Sequence, residues 1–150
     1  MSTRIDKAAI HHACMVKQQH LIKDFEKEIA SLKKQMVSQD FSQSQGDSSS
    51  VERNELLVRY ENELIFLKNE LQTLESIDPT KETEKVELGS VVVTDKRIFY
   101  VSVSIEQFEV EGQDIFGLSV NAPIYEAISQ TSKGDRITFN GIDYIILDVY

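Results

Sequence analysis

Two runs of apolar residues, spaced alternately three and four positions apart, constrain this chain more than any other feature of its sequence. The first run consists of Ile22, Phe25, Ile29, Leu32 and Met36, and the second of Leu57, Tyr60, Leu64, Leu67, Leu71 and Leu74. This spacing puts one apolar stripe on each helix, and such a stripe needs a partner helix to cover it. The sequence therefore predicts two helices, over residues 4–38 and 51–76, folded back on each other as an antiparallel hairpin.

A single register of that hairpin pairs the two runs throughout. It places Leu32 against Tyr60 and Phe25 against Leu67, and it centres the turn on Gly46-Asp47. The sequence therefore predicts a hairpin whose acidic tip, near residues 39–52, lies far from the rest of the protein.

The segment between the runs has its own start signal for the second helix. Residues 39–50 are rich in Ser and Gln, and Ser49 with Glu52 forms the S-x-x-E pattern of a capping box. Asp78-Pro79 predicts the end of that helix, because proline disfavours a helical residue before it.

Beyond a polar linker over residues 78–87 the pattern changes from helix to strand. Asn140-Gly141 is a strong two-residue hairpin signal, and Pro123 suits the first position of a short helix. The predicted strands, rich in Val, Ile, Phe, Tyr and Thr, are Ser90–Thr94, Arg97–Ser104, Ile115–Val120, Arg136–Asn140 and Asp143–Val149. We predict an α+β protein, with a hairpin over residues 1–77 and a small antiparallel sheet carrying one helix over 88–150.

Charge and cysteine content narrow the class of protein. The net charge is -9, and residues 78–150 carry 6 basic and 13 acidic side chains, which argues against general attraction to nucleic acid. Cys14 is the only cysteine, as expected in a reducing cytosol. No apolar run approaches the roughly 20 residues that span a bilayer, so we expect a soluble cytoplasmic protein without a membrane partner.

Histidine content raises a metal hypothesis that the spacing does not favour. His11 and Cys14 share a helix face, but His20 does not clearly join them, and no CxxC-type spacing is present. We expect these side chains to have ordinary packing and surface roles.

The C-terminal half contains segments that resemble a known family. These segments are Gly117-Leu118-Ser119-Val120-Asn121-Ala122-Pro123-Ile124, then Ala127-Ile128, then Lys133-Gly134-Asp135. In their order and spacing they are similar to the C-terminal domain of the bacterial Gre transcript-cleavage factors. The resemblance extends to the architecture of the whole chain, and it implies that the C-terminal domain is FKBP-like.

The resemblance also implies a function and a partner. Gre factors bind bacterial RNA polymerase through the C-terminal domain and insert the hairpin into the secondary channel. Acidic tip residues then help to hold a second Mg²⁺ and a water at the polymerase active centre, and backtracked nascent RNA is cleaved. The chain would thus be an accessory factor with no cofactor of its own, since a hairpin tip offers too few Mg²⁺ ligands alone.

Three acidic residues are candidates for the tip role. Asp47 matches the first acid of the family tip, whereas Ser50 stands in place of the second. Asp40 and Glu52 face each other in the predicted register and could replace the missing acid. Each also has an ordinary role open to it: Asp47 as a helix cap, Glu52 in the capping box, and Asp40 as a solvated loop charge.

A second candidate site is the segment Asn121, Ala122, Pro123 and Ile124, which the resemblance places near the polymerase contact. It is open to reading as a plain strand-to-helix turn. Glu126 occupies the place of a basic family residue, so docking would differ in detail.

Two other functions fit the sequence. A Gre-like regulator without cleavage activity would occupy the same channel, as the Ser50 departure suggests. A helical-hairpin adaptor or chaperone unrelated to transcription is the other, with prolyl isomerase activity weakly supported. Leftover apolar positions such as Ile65 and Phe66 would also allow weak self-association.

Overall fold

The computed structural model describes residues 4–40 and 47–150, and the side chains of residues 4–37 and 51–150. The described chain divides into two compact units. One unit is Lys17–Leu71, and the other combines Met1–Val16 with Gln72–Tyr150. The domain boundaries predicted from the sequence, at 77 and 88, stay predictions.

Two long helices, α1 (Lys7–Asp40) and α2 (Asp47–Glu75), form the hairpin. The apolar runs lie on their buried faces, as the sequence predicted, with Ile22, Ile29 and Leu32 on α1 and Leu67 on α2 all less than 9% exposed. The α+β fold class, an antiparallel helix pair followed by a sheet with a short helix, is confirmed.

The contacts between the two helices differ in part from the predicted register. Phe25 packs edge-on against Tyr60, with ring centroids 5.7 Å apart, seven residues along α2 from its predicted partner Leu67. The buried amide of Gln18 donates to the Leu67 carbonyl at 2.9 Å, whereas the predicted register would place Gln18 opposite Leu74. Both contacts differ from the prediction by seven residues along α2, whereas the ion pair of Lys68 with Glu26, at 3.9 Å, lies within two residues of the predicted register.

The start of α2 also differs from the prediction. The helix begins at Asp47, so Gly46-Asp47 is not the centre of the turn, and Ser49 lies within the helix rather than before it. The capping box of Ser49 and Glu52 is therefore wrong. Residues 41–46, which connect the helices, lie outside the described residues.

Six strands follow the hairpin and form one sheet in the order β3-β4-β2-β1-β6-β5. Their bounds are β1 (Val91–Thr94), β2 (Ile98–Ser102), β3 (Ile105–Val110), β4 (Gln113–Ser119), β5 (Arg136–Phe139) and β6 (Ile142–Val149), with α3 (Pro123–Ile128) between β4 and β5. The sheet is mixed rather than antiparallel, because β2 and β4 pair in parallel. Strand β3 was not predicted, while the five predicted strands and α3 are present.

The two faces of the sheet are covered by different elements. On one face, Tyr100 and Ile115 pack with the start of α1 and the end of α2, through Ile10, Cys14 and Leu74. On the other face lies a second apolar cluster. Its buried residues are Val86, Val92, Phe99, Val101, Leu118, Ile128, Ile146 and Val149. Helix α3 contributes Ile128 to this second face.

The segment predicted as a polar linker is partly integrated into this unit. Val86 is fully buried, its N–H donates to the Thr131 carbonyl at 2.9 Å, and its own carbonyl accepts from Gln130. The Asp78 carboxylate accepts from the N–H and hydroxyl of Thr80, which closes the turn after α2.

Candidate functional site

The hairpin places two of the predicted tip residues at its helix ends. Asp40 is the last residue of α1 and Asp47 is the first residue of α2, so they flank the six residues 41–46. The side chains of both residues lie outside the described part of the chain.

Glu52 lies further along α2 than Asp47. It lies in the second turn of α2, with its side chain exposed. The predicted opposition of Asp40 and Glu52 depends on the predicted register, which differs from the contacts made by Phe25 and Gln18.

The second candidate site is the turn that joins β4 to α3. The Asn121 N–H donates to the Ser119 hydroxyl at 3.0 Å, and Ala122 has the extended backbone of a helix N-cap residue. Pro123 opens α3, where its missing N–H costs no helical hydrogen bond. Asn121 and Pro123 are exposed, while Ile124 packs on the second face of the sheet.

Phe116 on β4 and Arg97, the residue before β2, form an aromatic and cationic surface. Phe116 is half-buried, its ring centroid lies 6.4 Å from that of Phe99, and the Arg97 guanidinium lies 4.6 Å above its ring. Since Phe116 and Ile124 pack against the same apolar cluster, the turn and this surface belong to one side of the sheet.

The sequence did not reveal the polar contact that ties α1 to the sheet. His11 Nδ1 and the Tyr100 hydroxyl are joined by a 2.7 Å hydrogen bond, and their rings meet edge to face. Burial lowers the pKa of His11 and raises that of Tyr100. The one available signal was that His11 shares a helix face with Cys14, which is buried.

A second missed feature joins residues that are distant in the sequence. The Arg4 guanidinium forms a bidentate pair with Asp148, at 2.8 and 3.0 Å, and lies 4.7 Å above the Tyr150 ring. The Tyr150 hydroxyl donates to the Ile5 carbonyl at 2.8 Å. The hydrogen bond from Arg4 is the main reason that the pKa of Asp148 is lowered.

Beside this contact lies an open cleft of about 440 Å³. Its charged lining is mixed, since Arg4 and Lys7 are offset by Asp6 and Glu82. The Lys7 amine is buried and donates to the Lys81 carbonyl at 2.7 Å, and burial lowers its pKa. This balance of charge selects neither an anion nor a cation.

Among the side chains that the structure describes, those of residues 4–37 and 51–150, no group of three or more His, Cys, Asp or Glu could hold a metal ion. None of the helices in the described ranges is long and apolar enough to cross a membrane.

No protein-family model matches the sequence, and no curated protein matches it. Among solved structures, it is similar to GreA factor homolog 1 (Gfh1) of Thermus thermophilus, with 13% identity and a TM-score of 0.37 over 91% of this chain and 94% of that one. A structure described as transcription factor Gfh1 has 13% identity, a TM-score of 0.36 and coverage of 91% and 92%. Thermus aquaticus Gfh1 has 15% identity, a TM-score of 0.34 and coverage of 89% and 92%.

The chain resembles Gre factors. These solved structures belong to the family that the sequence motifs resemble. At 13–15% identity and TM-scores of 0.34–0.37, the function of this chain has to be inferred from its own residues.

Proposed function

We propose that this chain is a Gre-like transcription elongation factor that binds bacterial RNA polymerase and inserts its hairpin into the secondary channel. Its partners are the polymerase and, indirectly, the nascent RNA. The chain supplies no complete active site, and it stimulates the RNA cleavage activity of the polymerase itself.

One observation carries this proposal: α1 ends at Asp40 and α2 begins at Asp47. Two acidic residues thus stand at the two helix ends that flank residues 41–46. Mg²⁺ prefers a few carboxylate oxygens together with water, and two metal ions can stabilise an in-line displacement at phosphorus. Asp47 would position the second Mg²⁺ or its water, and the polymerase would supply the remaining ligands.

The helix bounds favour Asp40 over Glu52 as the assisting acid. Asp40 and Asp47 lie at the same end of the hairpin, whereas Glu52 is displaced from Asp47 by five residues, about 7.5 Å along α2. Ser50, which replaces the second acid of the family tip, also lies inside α2.

Docking to the polymerase is proposed for the turn of Asn121, Ala122, Pro123 and Ile124. Its support is that Asn121 and Pro123 are exposed while the backbone is fixed by hydrogen bonds to Ser119. A fixed backbone with exposed side chains loses little conformational entropy on binding.

RNA cleavage in a stalled, backtracked elongation complex tests the proposal. We expect short 3′ RNA fragments with the wild-type protein, fewer with Asp47→Asn and Asp40→Asn, and an unchanged yield with Glu52→Gln. Substituting Asn121 or Pro123 should weaken binding to the complex without changing cleavage at saturating protein.

A non-cleaving secondary-channel regulator is the second candidate, favoured by Ser50 at the second acid position. It would bind the same complex and alter elongation, but yield no fragments. Confirmed binding without cleavage would select this function over the first.

A further inference from the structure

The side of α2 that faces away from α1 carries a second apolar stripe. Val51, Val58 and Ile65 follow at intervals of seven residues and are 54%, 58% and 59% exposed. Phe66, 52% exposed, follows Ile65 in the chain and lies about 100° round the helix from it. At 3.6 residues per turn, the stripe lies on the opposite side of the helix from buried Leu67.

A repeat of this kind differs from ordinary surface apolarity. Single exposed Val or Ile side chains are common on soluble proteins and need no explanation. Three of them at a strict seven-residue spacing line one side of the helix, which is the spacing of one of the two apolar positions in a coiled-coil heptad. The positions between them on this side, Asn54, Glu55, Glu61 and Asn62, are polar. The inner stripe of α2 already has its partner in α1, so the outer stripe calls for a second helix.

We propose that the outer stripe is an interface between two copies of this chain, in which the two α2 helices pack antiparallel about a twofold axis at Val58. The stripe reads nearly the same in both directions, because Val51 and Ile65 are equally far from Val58 in the sequence. With the axis at Val58, Val51 of each copy meets the partner's Ile65, and Val58 meets the partner's Val58. A twofold interface requires this self-complementarity.

Charge complementarity supports the antiparallel arrangement. Glu55 and Arg59 are exposed and border the outer stripe on the same side. In antiparallel helices, residues of the same side face each other, so Glu55 of each copy lies opposite the partner's Arg59. A parallel pair would separate these two residues. Since exposed ion pairs contribute little affinity, they select the orientation while the apolar seam provides the attraction.

The size of the seam predicts weak association. From Val51 to Ile65 it covers about four helical turns, less than the roughly 800 Å² per partner of a standard stable interface. We therefore expect a monomer–dimer equilibrium with a dissociation constant on the order of 10–100 µM.

One consequence rests on the proposed function. The dimer covers one side of the hairpin, so only the monomer could enter a narrow channel. Self-association would then limit the active fraction at high protein concentration. The association itself is measured without polymerase, so its failure is distinguishable from a failure of the proposed function.

Sedimentation equilibrium of the purified chain, from about 5 to 500 µM, tests the association. We expect dimers to appear as the concentration rises, and Val58→Lys to weaken them at least tenfold by placing two charges at the axis. Val37→Lys is the matched control, because Val37 is 59% exposed but lies on α1. A wild-type chain that stays monomeric throughout, or equal losses in both variants, would overturn the proposal.

Oxidative cross-linking tests the orientation. Val58→Cys should form a covalent dimer, and an equimolar mixture of Val51→Cys and Ile65→Cys should cross-link to each other. Native Cys14 is buried and does not compete. Efficient self-linking of Val51→Cys, with none to Ile65→Cys, would mean a parallel pair and would contradict the assignment.

Charge reversal gives an independent check of the ion pairs. Glu55→Arg and Arg59→Glu should each weaken the dimer, and the double variant should recover wild-type association. A double variant as weak as the single ones would exclude the antiparallel pairing of these residues.

Discussion

At the scale of single residues, one part-buried and one buried polar contact hold the start of α1 and the segment before it to the sheet. The contact of His11 with Tyr100 fixes α1, and the contact of Tyr150 with Ile5 fixes the segment before it. Neither contact follows from the sequence, because the partners are 89 and 145 residues apart. Residue type alone does not indicate which distant hydroxyl or carbonyl a side chain will meet.

The environment of His11 predicts that the folded state loses stability in acid. Burial lowers its pKa below the ordinary 6.5, so the folded state favours the neutral ring and the unfolded chain binds the proton more readily. The stabilisation is therefore present above that value and is lost as the pH falls through it. We expect His11→Gln to reduce the loss of stability between about pH 7.5 and 5.5, measured by urea unfolding. His20→Gln, at an exposed position, is the control, and an unchanged slope in the His11 variant would contradict this account.

Removal of the Tyr150 hydroxyl is expected to lower the free energy of unfolding. Burial raises its pKa to about 12, so its hydroxyl stays protonated and donates to the Ile5 carbonyl. Tyr150→Phe removes that donor and leaves a buried carbonyl without it, at a cost of about 1 kcal/mol in the free energy of unfolding. Tyr125→Phe on α3 serves as the comparison. Equal stability of the Tyr150 variant and the wild type would show that the hydrogen bond contributes nothing.

At the scale of elements, the sequence predicts which faces are buried but not how far one helix slides along the other. Leu67 and Tyr60 lie seven residues apart on the same face of α2, so apolar periodicity cannot decide which of them Phe25 meets, and the structure has Phe25 against Tyr60. Strand β3 was not predicted because its apolar pattern is also ambiguous. A register shift between Ile105 and Phe108 interrupts the alternation that marks a strand.

Gln18 is a buried polar residue within the hairpin seam. Its Nε2 donates to the Leu67 carbonyl, but its Oε1 is buried with no hydrogen-bond partner. A buried acceptor without a partner costs about 1–3 kcal/mol, while the Leu67 carbonyl lies within a helix that already provides it with a donor. We expect Gln18→Met to raise or preserve the melting temperature. A fall of more than about 8 °C would indicate that the amide is needed to fix the register.

Gly117 is required where β3 approaches β4. A Cβ at this position would lie 2.5 Å from the Val103 carbonyl oxygen and 2.9 Å from Ile105 Cβ. Both atoms belong to the segment at the start of β3. Because backbone cannot yield as a flexible side chain can, we expect Gly117→Ala to lower the free energy of unfolding by about 2 kcal/mol or more. Gln113→Ala, exposed on the same strand, should cost much less. Comparable losses in both variants would exclude the close approach as the cause.

At the scale of the whole molecule, the order of elements was predictable and the chemistry of the tip only partly so. Two long apolar stripes and a run of short strands define an α+β chain, and these patterns are local. The candidate site depends on where each helix ends. Serine favours caps and turns over helix interiors, yet Ser48, Ser49 and Ser50 lie inside α2, which starts at Asp47. The local preference of these residues therefore did not indicate where the helix begins.

The central claim is that the hairpin end acts on the polymerase active centre through Asp47. It predicts that wild-type protein releases short 3′ RNA fragments from a backtracked elongation complex in the presence of Mg²⁺, and that polymerase or protein alone releases far fewer. Because loss of a group that holds a metal or its water typically costs 10–100-fold, we expect a decrease of about that size with Asp47→Asn at equal binding to the complex. Cleavage undiminished by Asp47→Asn, or no fragments despite saturating binding, would contradict it.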